Sequence, residues 1–248
     1  MLFSDVRAGE GSTGLALLAS CFFLLLTTYL LKPARDGLLA SAGIPGLSDM
    51  ELKAYSSFSQ SILLLAIVPL YTRLAARLGR RSLVTAVTLF FVSNLLVFGC
   101  LQPGWLVENV PLLGIVFYLW FGVFNLLAIV QFWSFAADFY SDEGGTRLFP
   151  VIAFGATAGA AVGAWLAGAL VRSGLATTYT LLWLGAGALL VALALLRFAD
   201  ARDAGEPVVA DSGRGNWSGR GAFRLVISDR YLLATAVLVL FANWVKTN

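Results

Sequence analysis

Apolar stretches of about twenty residues, separated by short polar segments, run through most of the chain. They predict six membrane-spanning helices, over residues 12–31, 55–72, 82–101, 110–137, 148–171 and 173–196. A hydrocarbon layer roughly 30 Å thick needs about 20 helical residues to cross it. Because helices that are apolar on all sides face either a core or lipid, the pattern predicts an all-α polytopic protein in a lipid bilayer.

The composition of the chain supports this class and narrows its chemistry. The chain is 59% hydrophobic and 12% charged, whereas charged residues make up roughly a quarter of a soluble domain. The net charge of +3 is too small to indicate a nucleic-acid partner. Histidine, the commonest metal ligand, is missing from the sequence, so we expect no metal site and no cofactor.

The two cysteines, Cys21 and Cys100, lie inside apolar spans and are expected to be buried thiols rather than a disulfide. Cys21 also ends a Leu-Ala-Ser-Cys sequence that resembles a lipoprotein cleavage site. The apolar run continues past it to Leu31, however, whereas a signal segment ends near its cleavage site. We therefore interpret this segment as the first helix.

Positive charges are concentrated on one side of the predicted topology. The segments after the second, fourth and sixth spans carry Arg73, Arg77, Arg80, Arg81, Arg147, Arg197, Arg202, Arg214, Arg220, Arg224 and Arg230. The opposite side carries Lys32, Arg35, Lys53 and Arg172. Since loops rich in arginine stay in the cytoplasm, we expect a cytoplasmic N-terminus, in a bacterial inner membrane.

Residues 199–230 have the polar, glycine-rich composition of a cytoplasmic linker. The apolar residues 231–248 are predicted to be the truncated start of a seventh helix. Six helices, a long linker and a further helix are typical of two-bundle secondary transporters. We therefore expect residues 1–198 to form the N-terminal bundle, which needs a missing C-terminal half as its partner before it can transport.

The segment after the second span resembles a signature of the major facilitator superfamily. Residues 74–83 read Leu-Ala-Ala-Arg-Leu-Gly-Arg-Arg-Ser-Leu, against Ala-Asp-Arg-x-Gly-Arg-Arg-x-x-Leu in that superfamily. Ala76 stands in place of the acidic residue. The resemblance implies the six-helix N-terminal bundle of a major facilitator-like transporter, and an ordinary positively charged cytoplasmic loop is the alternative interpretation.

Charged residues at the outer end of helix 1 are the first candidate site. Lys32, Arg35 and Asp36 follow the apolar run, with Pro33 between them. Two cations and one carboxylate leave a positive patch, so Lys32 and Arg35 are predicted to bind an anionic substrate and Asp36 to act in gating. The helix either breaks near Pro33 or continues past the charges. A snorkelling cluster at the membrane interface is the alternative.

Helices 4 and 5 carry the other candidates. Asn125, in mid-span, is predicted to contact substrate, with an interhelical hydrogen bond as its alternative role. Asp138 at the cytoplasmic mouth is predicted to form a charge switch with Arg147 or with the arginines that follow helix 2, and a solvated acidic loop is the alternative. Those arginines are Arg77, Arg80 and Arg81. Gly155, Gly159 and Gly163 form a stripe of small residues that is expected to pack against another helix.

Residues 117–163 are similar to helices 4 and 5 of the ATP/ADP translocase family. The similarity lies in Trp120, Phe121, Asn125, Phe-Trp-Ser-Phe-Ala at 132–136, Asp138, Arg-Leu-Phe-Pro at 147–150 and Gly155. Residues 31–36 resemble the helix 1 segment of that family, and residues 243–248 the opening of its second half. The resemblance implies two six-helix bundles that exchange nucleotides. An important helix-1 lysine falls at Arg35 and a helix-4 glutamate at Asp138, so the charges are kept while the residue types change.

The function predicted from these observations is secondary active transport of an organic anion by alternating access, most concretely ATP/ADP exchange. Two alternatives stay open. One is a proton-coupled major facilitator transporter of another small solute, with Asp36 or Asp138 as the proton site, and the other is a non-transporting membrane scaffold or sensor. An enzyme is not expected, because the sequence has no metal-binding constellation, no phosphate-binding loop and no recognisable nucleophile–base pair.

Overall fold

The computed structural model describes residues 10–42, 44, 46–100, 112–137, 139–140, 142–174, 177–202, 230–231, 233–234 and 238. Within them the chain forms six α-helices and no strand, which confirms the predicted all-α class. The helices are α1 (Glu10–Ala40), α2 (Asp49–Arg77), α3 (Arg80–Cys100), α4 (Leu112–Ala136), α5 (Asp142–Arg172) and α6 (Thr178–Arg202). Each is long and apolar enough to cross a bilayer, as expected of an integral membrane protein.

The first helix is longer than its predicted span of 12–31, because α1 continues past its charged residues to Ala40. Pro33 lies inside α1 and does not end it. Since proline has no N–H, the Tyr29 carbonyl loses its helical donor, which is a common cause of a bend. Of the two alternatives for this segment, the continuous helix is therefore confirmed, and the predicted break near Pro33 is wrong.

A capping box starts α2 at Asp49, well before the predicted start at residue 55. The Glu51 N–H donates to the Ser48 hydroxyl at 3.4 Å, and the Ser48 N–H donates to the Glu51 carboxylate at 2.9 Å. These two bonds satisfy backbone donors that no helical carbonyl can reach. Lys53 therefore lies one turn inside α2 rather than in a loop.

The central helix of the bundle is α1, which packs against α4, α5 and α6. The stripe of Gly155, Gly159 and Gly163 on α5 faces the carbonyl oxygens of Leu18, Phe22 and Leu26 on α1, in that order. A β-carbon at Gly155 would lie 2.5 Å from its facing oxygen, and one at Gly163 would lie 2.7 Å away. Only glycine permits backbones to approach this closely, so the stripe fixes the spacing of α1 and α5.

Buried hydroxyl groups connect α1 to α6. The Ser20 hydroxyl donates to the Ala192 carbonyl of α6 at 2.9 Å. The Thr27 hydroxyl donates to the Phe23 carbonyl in its own helix at 2.8 Å. Both side chains are buried and both find a carbonyl acceptor, which is the usual solution for hydroxyl groups in an apolar bundle.

Aromatic rings pack α3 against α4. The Trp120 indole is stacked on Phe124, with the centroids 5.7 Å apart and 7° between the planes, and on Phe117 at 5.4 Å and 27°. Phe91 and Phe98 of α3 approach the same indole with their centroids 5.7 Å away. These contacts fix the rotation of α4 about its axis. The other side of α4 is thereby turned toward α1 and α2.

Large apolar side chains cover much of the outer surface. Phe58 of α2 is 68% exposed and Phe154 of α5 is 69% exposed. Ile62, Leu65, Leu70, Val162 and Trp165 extend the same two surfaces. A soluble monomer rarely exposes apolar patches of this extent. The surface fits contact with lipid or with a further helical bundle.

Gly174 makes the turn that separates α5 from α6. Its φ of 68° lies in the left-handed region, which glycine adopts without steric cost. The Gly174 N–H donates to the Val171 carbonyl at 3.2 Å, just after α5 ends. The sixth helix therefore starts at Thr178, later than the predicted residue 173.

The last helix also ends later than predicted, since α6 continues to Arg202 and takes residues 199–202 from the predicted linker. Two contacts stabilise this end: Arg81 of α3 pairs with Asp200, and Arg202 lies over the Phe198 ring at 4.6 Å. The remaining linker residues 203–229 lie outside the described residues. In the predicted seventh helix, the structure describes Tyr231, Leu233, Ala234 and Leu238, all helical.

Candidate functional site

Arg35 places a guanidinium group at the contact between α1 and α4. Its side chain is 19% exposed. The guanidinium carbon lies 4.8 Å from the ring centroid of Tyr118 and 5.3 Å from that of Phe121. Both rings are buried and take the place of water around the charge. Tyr118 lies about 9 Å along α4 from Leu112, where the described part of that helix begins.

Asp36 is the carboxylate that pairs with Arg35. Its Oδ1 atom accepts hydrogen bonds from Arg35 Nε at 3.0 Å and from Nη2 at 2.7 Å. The Nζ atom of Lys53 on α2 lies 3.9 Å from the same oxygen. The side chains of Asp36 and Lys53 are 45% and 54% exposed, so both lie nearer the surface than the guanidinium. One carboxylate oxygen thus serves two cations on two helices.

Lys32 supplies a second cation one turn before Asp36. Its Nζ atom lies 3.5 Å from the ring centroid of Tyr29, and its side chain is partly buried. Lys32 and Arg35 fall within a single helical turn of α1. Two cations this close in sequence can bind two oxygens of one phosphate chain.

Two amide side chains lie deeper between α2 and α4. Asn125 is on the same face of α4 as Tyr118, about two turns further along. Its Oδ1 atom is buried and has no hydrogen-bond partner within the described residues. The Oε1 atom of Gln60 on α2 is also buried and has no hydrogen-bond partner within the described residues. The Gln60 side chain packs against Gly122. Buried acceptors of this kind call for a water molecule or a ligand as donor.

Among the predicted gating residues, Asp36 lies beside Arg35, whereas Arg77, Arg81 and Arg147 lie at the other end of the bundle. Arg77 is exposed at the end of α2, and Arg147 is partly buried in the first turns of α5. Asp138 lies outside the described residues, and so does the side chain of Arg80. The predicted pairing of Asp138 with Arg147 or with the arginines after α2 therefore stays a prediction.

Arg81 pairs with Asp200, a residue that the sequence assigned to the linker. The Nε and Oδ1 atoms are 2.8 Å apart, without the alignment of a hydrogen bond. Arg81 stands at the start of α3 and Asp200 near the end of α6, where each charge opposes the helix dipole. Pairing relieves both unfavourable interactions, so we assign the contact to holding α3 and α6 together.

The sequence did not single out Tyr118 and Lys53, which shape the site, or Asp200, which pairs with Arg81 at the other end of the bundle. Tyr118 lies in a continuous apolar run, where an aromatic residue is typical of a lipid contact. Lys53 lies before the predicted second span. The Ser48-x-x-Glu51 pattern is the signal that could have placed Lys53 inside a helix, because it is a capping box.

No protein-family model, curated protein or solved structure matches the chain. Among the residues that the structure describes, no group of three or more histidine, cysteine or acidic side chains could hold a metal ion. The candidate site consists of the partly buried cations of α1 and the two buried amide oxygens, on Gln60 and Asn125, that have no hydrogen-bond partner.

Proposed function

We propose that the chain is the N-terminal bundle of a major facilitator-like secondary transporter for an organic, phosphorylated anion. Exchange of ATP for ADP is the most concrete form of this function, in keeping with the resemblance of helices 1, 4 and 5 to the ATP/ADP translocases. A transport pathway of this kind lies between two such bundles. The membrane is proposed to be a bacterial inner membrane with the N-terminus in the cytoplasm, because the arginine-rich segments share that side.

The observation that carries the proposal is the environment of Arg35. A charge inside a membrane helix is costly, and such residues usually belong to a pathway for a solute or an ion. Arg35 presents five N–H donors in the forked arrangement that binds phosphate oxygens, and Asp36 accepts from two of them, so an anion would compete with Asp36 for this guanidinium. Lys32 adds a second positive charge within the same turn.

Transport would follow from alternating access around this site. Lys32 and Arg35 bind the phosphate groups, and Asn125 accepts a hydrogen bond from a hydroxyl or amino group of the same substrate. Asp138 and Arg147, with Arg77 and Arg80, form the charge switch at the cytoplasmic mouth, whereas Arg81 is held in its ion pair with Asp200. Rocking of two bundles opens the site to each side in turn.

Counterflow in vesicles tests this function. We expect the full-length protein in proteoliposomes loaded with ATP to take up labelled ADP saturably, at least about tenfold faster than empty proteoliposomes, because an exchanger needs substrate on the trans side. Uptake equal to that of protein-free vesicles would remove the nucleotide function. Uptake that ignores the internal ATP and follows a pH gradient would favour the proton-coupled alternative.

A further inference from the structure

We propose that Asp36 is a mobile internal counter-ion, which pairs with Arg35 when the site is empty and moves to Lys53 when an anion binds Arg35. The proposal rests on the function proposed above and gives Lys53 a positioning role in it. Lys53 does not touch the anion. It holds the carboxylate that the anion displaces.

Asp36 already lies between the two cations. Its Oδ1 atom is 2.7 Å from Arg35 Nη2 and 3.9 Å from Lys53 Nζ. The longer distance is within the range of an ion pair but beyond that of a hydrogen bond. Asp36 is therefore bonded to Arg35 in this state. Lys53 Nζ needs to approach the carboxylate by only about 1 Å to form a hydrogen bond with it.

The fold provides space for that movement. A cavity of about 180 Å³ adjoins the carboxylate and is lined by Asp36, Leu39, Ala40, Asp49, Leu52 and Lys53. It is large enough for several water molecules at roughly 30 Å³ each. Asp49 lies one turn before Lys53 and faces the same cavity.

The position of Lys53 relative to Arg35 is set by contacts outside the ion pairs. The capping box at Ser48 fixes the start of α2 one turn before Lys53. One turn after it, the Ser57 hydroxyl lies 2.8 Å from the Tyr118 hydroxyl. Tyr118 carries the ring that covers Arg35. The contacts between α2 and α4 thus hold Lys53 at a fixed position relative to Arg35.

The movement keeps charges paired in both states. If Asp36 stayed on Arg35, an arriving anion would meet a second negative charge beside the guanidinium, which is 19% exposed and only partly screened by water. When Asp36 moves to Lys53, the anion replaces it on Arg35. Each cation then has one negatively charged partner. Affinity for the anion therefore depends on Lys53 only while Asp36 is present.

A double-mutant cycle tests this dependence with ADP as the probe. In the purified full-length protein, Lys53→Gln is expected to raise the Kd for ADP about fivefold when Asp36 is present, and less than about twofold in the Asp36→Asn background. Asp36→Asn alone is expected to lower the Kd, because it removes a competitor for Arg35.

Arg172→Gln, which removes an exposed cation on the same side, is the charge control. Equal losses from Lys53→Gln in both backgrounds would mean that Lys53 contacts the anion directly, and would overturn the proposal.

A second measurement needs no anion and separates this proposal from the proposed function. The rate of acylation of Lys53 by a water-soluble amine reagent is followed by mass spectrometry. Asp36→Asn is expected to speed it, and Arg35→Gln, which frees Asp36 for Lys53, is expected to slow it severalfold. If these changes appear while the wild type fails to bind ADP, the counter-ion role of Asp36 is supported and the nucleotide function is wrong. Unchanged acylation in both variants overturns the counter-ion.

Discussion

Arg35→Ala is expected to weaken ADP binding by about 100-fold or more, corresponding to about 3 kcal/mol. The substitution removes the forked donor that binds the phosphate and leaves Asp36 without its closest partner. The rings of Tyr118 and Phe121 cannot replace the lost charge. The measurement is the Kd for ADP of the purified full-length protein, with folding checked by size-exclusion chromatography.

Two variants make the Arg35 result interpretable. Arg35→Lys keeps the charge but loses the fork, so a loss of about tenfold is expected. Arg172→Ala removes an exposed arginine on the same side of the bundle and is expected to leave the Kd within about twofold, because exposed charges are well screened. Wild-type affinity in Arg35→Ala would remove Arg35 from the site.

Gly159→Val is expected to have the largest effect on stability. A β-carbon at this position overlaps the Phe22 carbonyl of α1, so the two backbones must separate along the whole glycine stripe. Overpacking of a tight core costs about 3 kcal/mol, which predicts a fall of roughly 10 °C in the unfolding temperature in detergent. Separation of α1 and α5 also shifts the helix that carries Lys32 and Arg35.

Gly187→Ala is the matched control for the stripe. Gly187 is also a glycine inside a helix, but a β-carbon there meets no atom within 4 Å. Alanine is expected to leave the unfolding temperature unchanged or to raise it slightly, since it favours the helix. A fall in Gly187→Ala as large as that in Gly159→Val would show that close contact with α1 is not the cause.

Features that depend on one segment of the chain, such as a helix, were predictable from the sequence. Contacts between two segments were not. The apolar runs predicted six helices, and the spacing of Gly155, Gly159 and Gly163 predicted a close helix contact. The partner of that stripe could not be known, because any neighbouring helix satisfies the pattern. Likewise, Asp200 among polar residues is typical of a linker until the position of Arg81 on another helix is known.

In the candidate site, too, the residues were predictable from the sequence and their contacts were not. Lys32, Arg35 and Asp36 stood out because charges at the end of an apolar run are rare and costly. Their separate environments were not predictable, since these depend on which ring faces each cation. Tyr29 belongs to the same helix as Lys32, whereas Tyr118 reaches Arg35 from α4. A tyrosine in an apolar run gives no indication of which helix it will meet.

Sided labelling of cysteines tests most directly the claim on which the account depends, that the helices cross a membrane and separate the α1 charges from the arginines between α2 and α3. Cys21 and Cys100 are first replaced by alanine, and single cysteines are placed at Met50 and at Leu78, the exposed residues at the two ends of α2. In intact cells, a membrane-impermeant thiol reagent is expected to label position 50. Position 78 is expected to react only after the membrane is opened. Labelling of both positions from the same side, or recovery of the protein in the soluble fraction, would contradict the account.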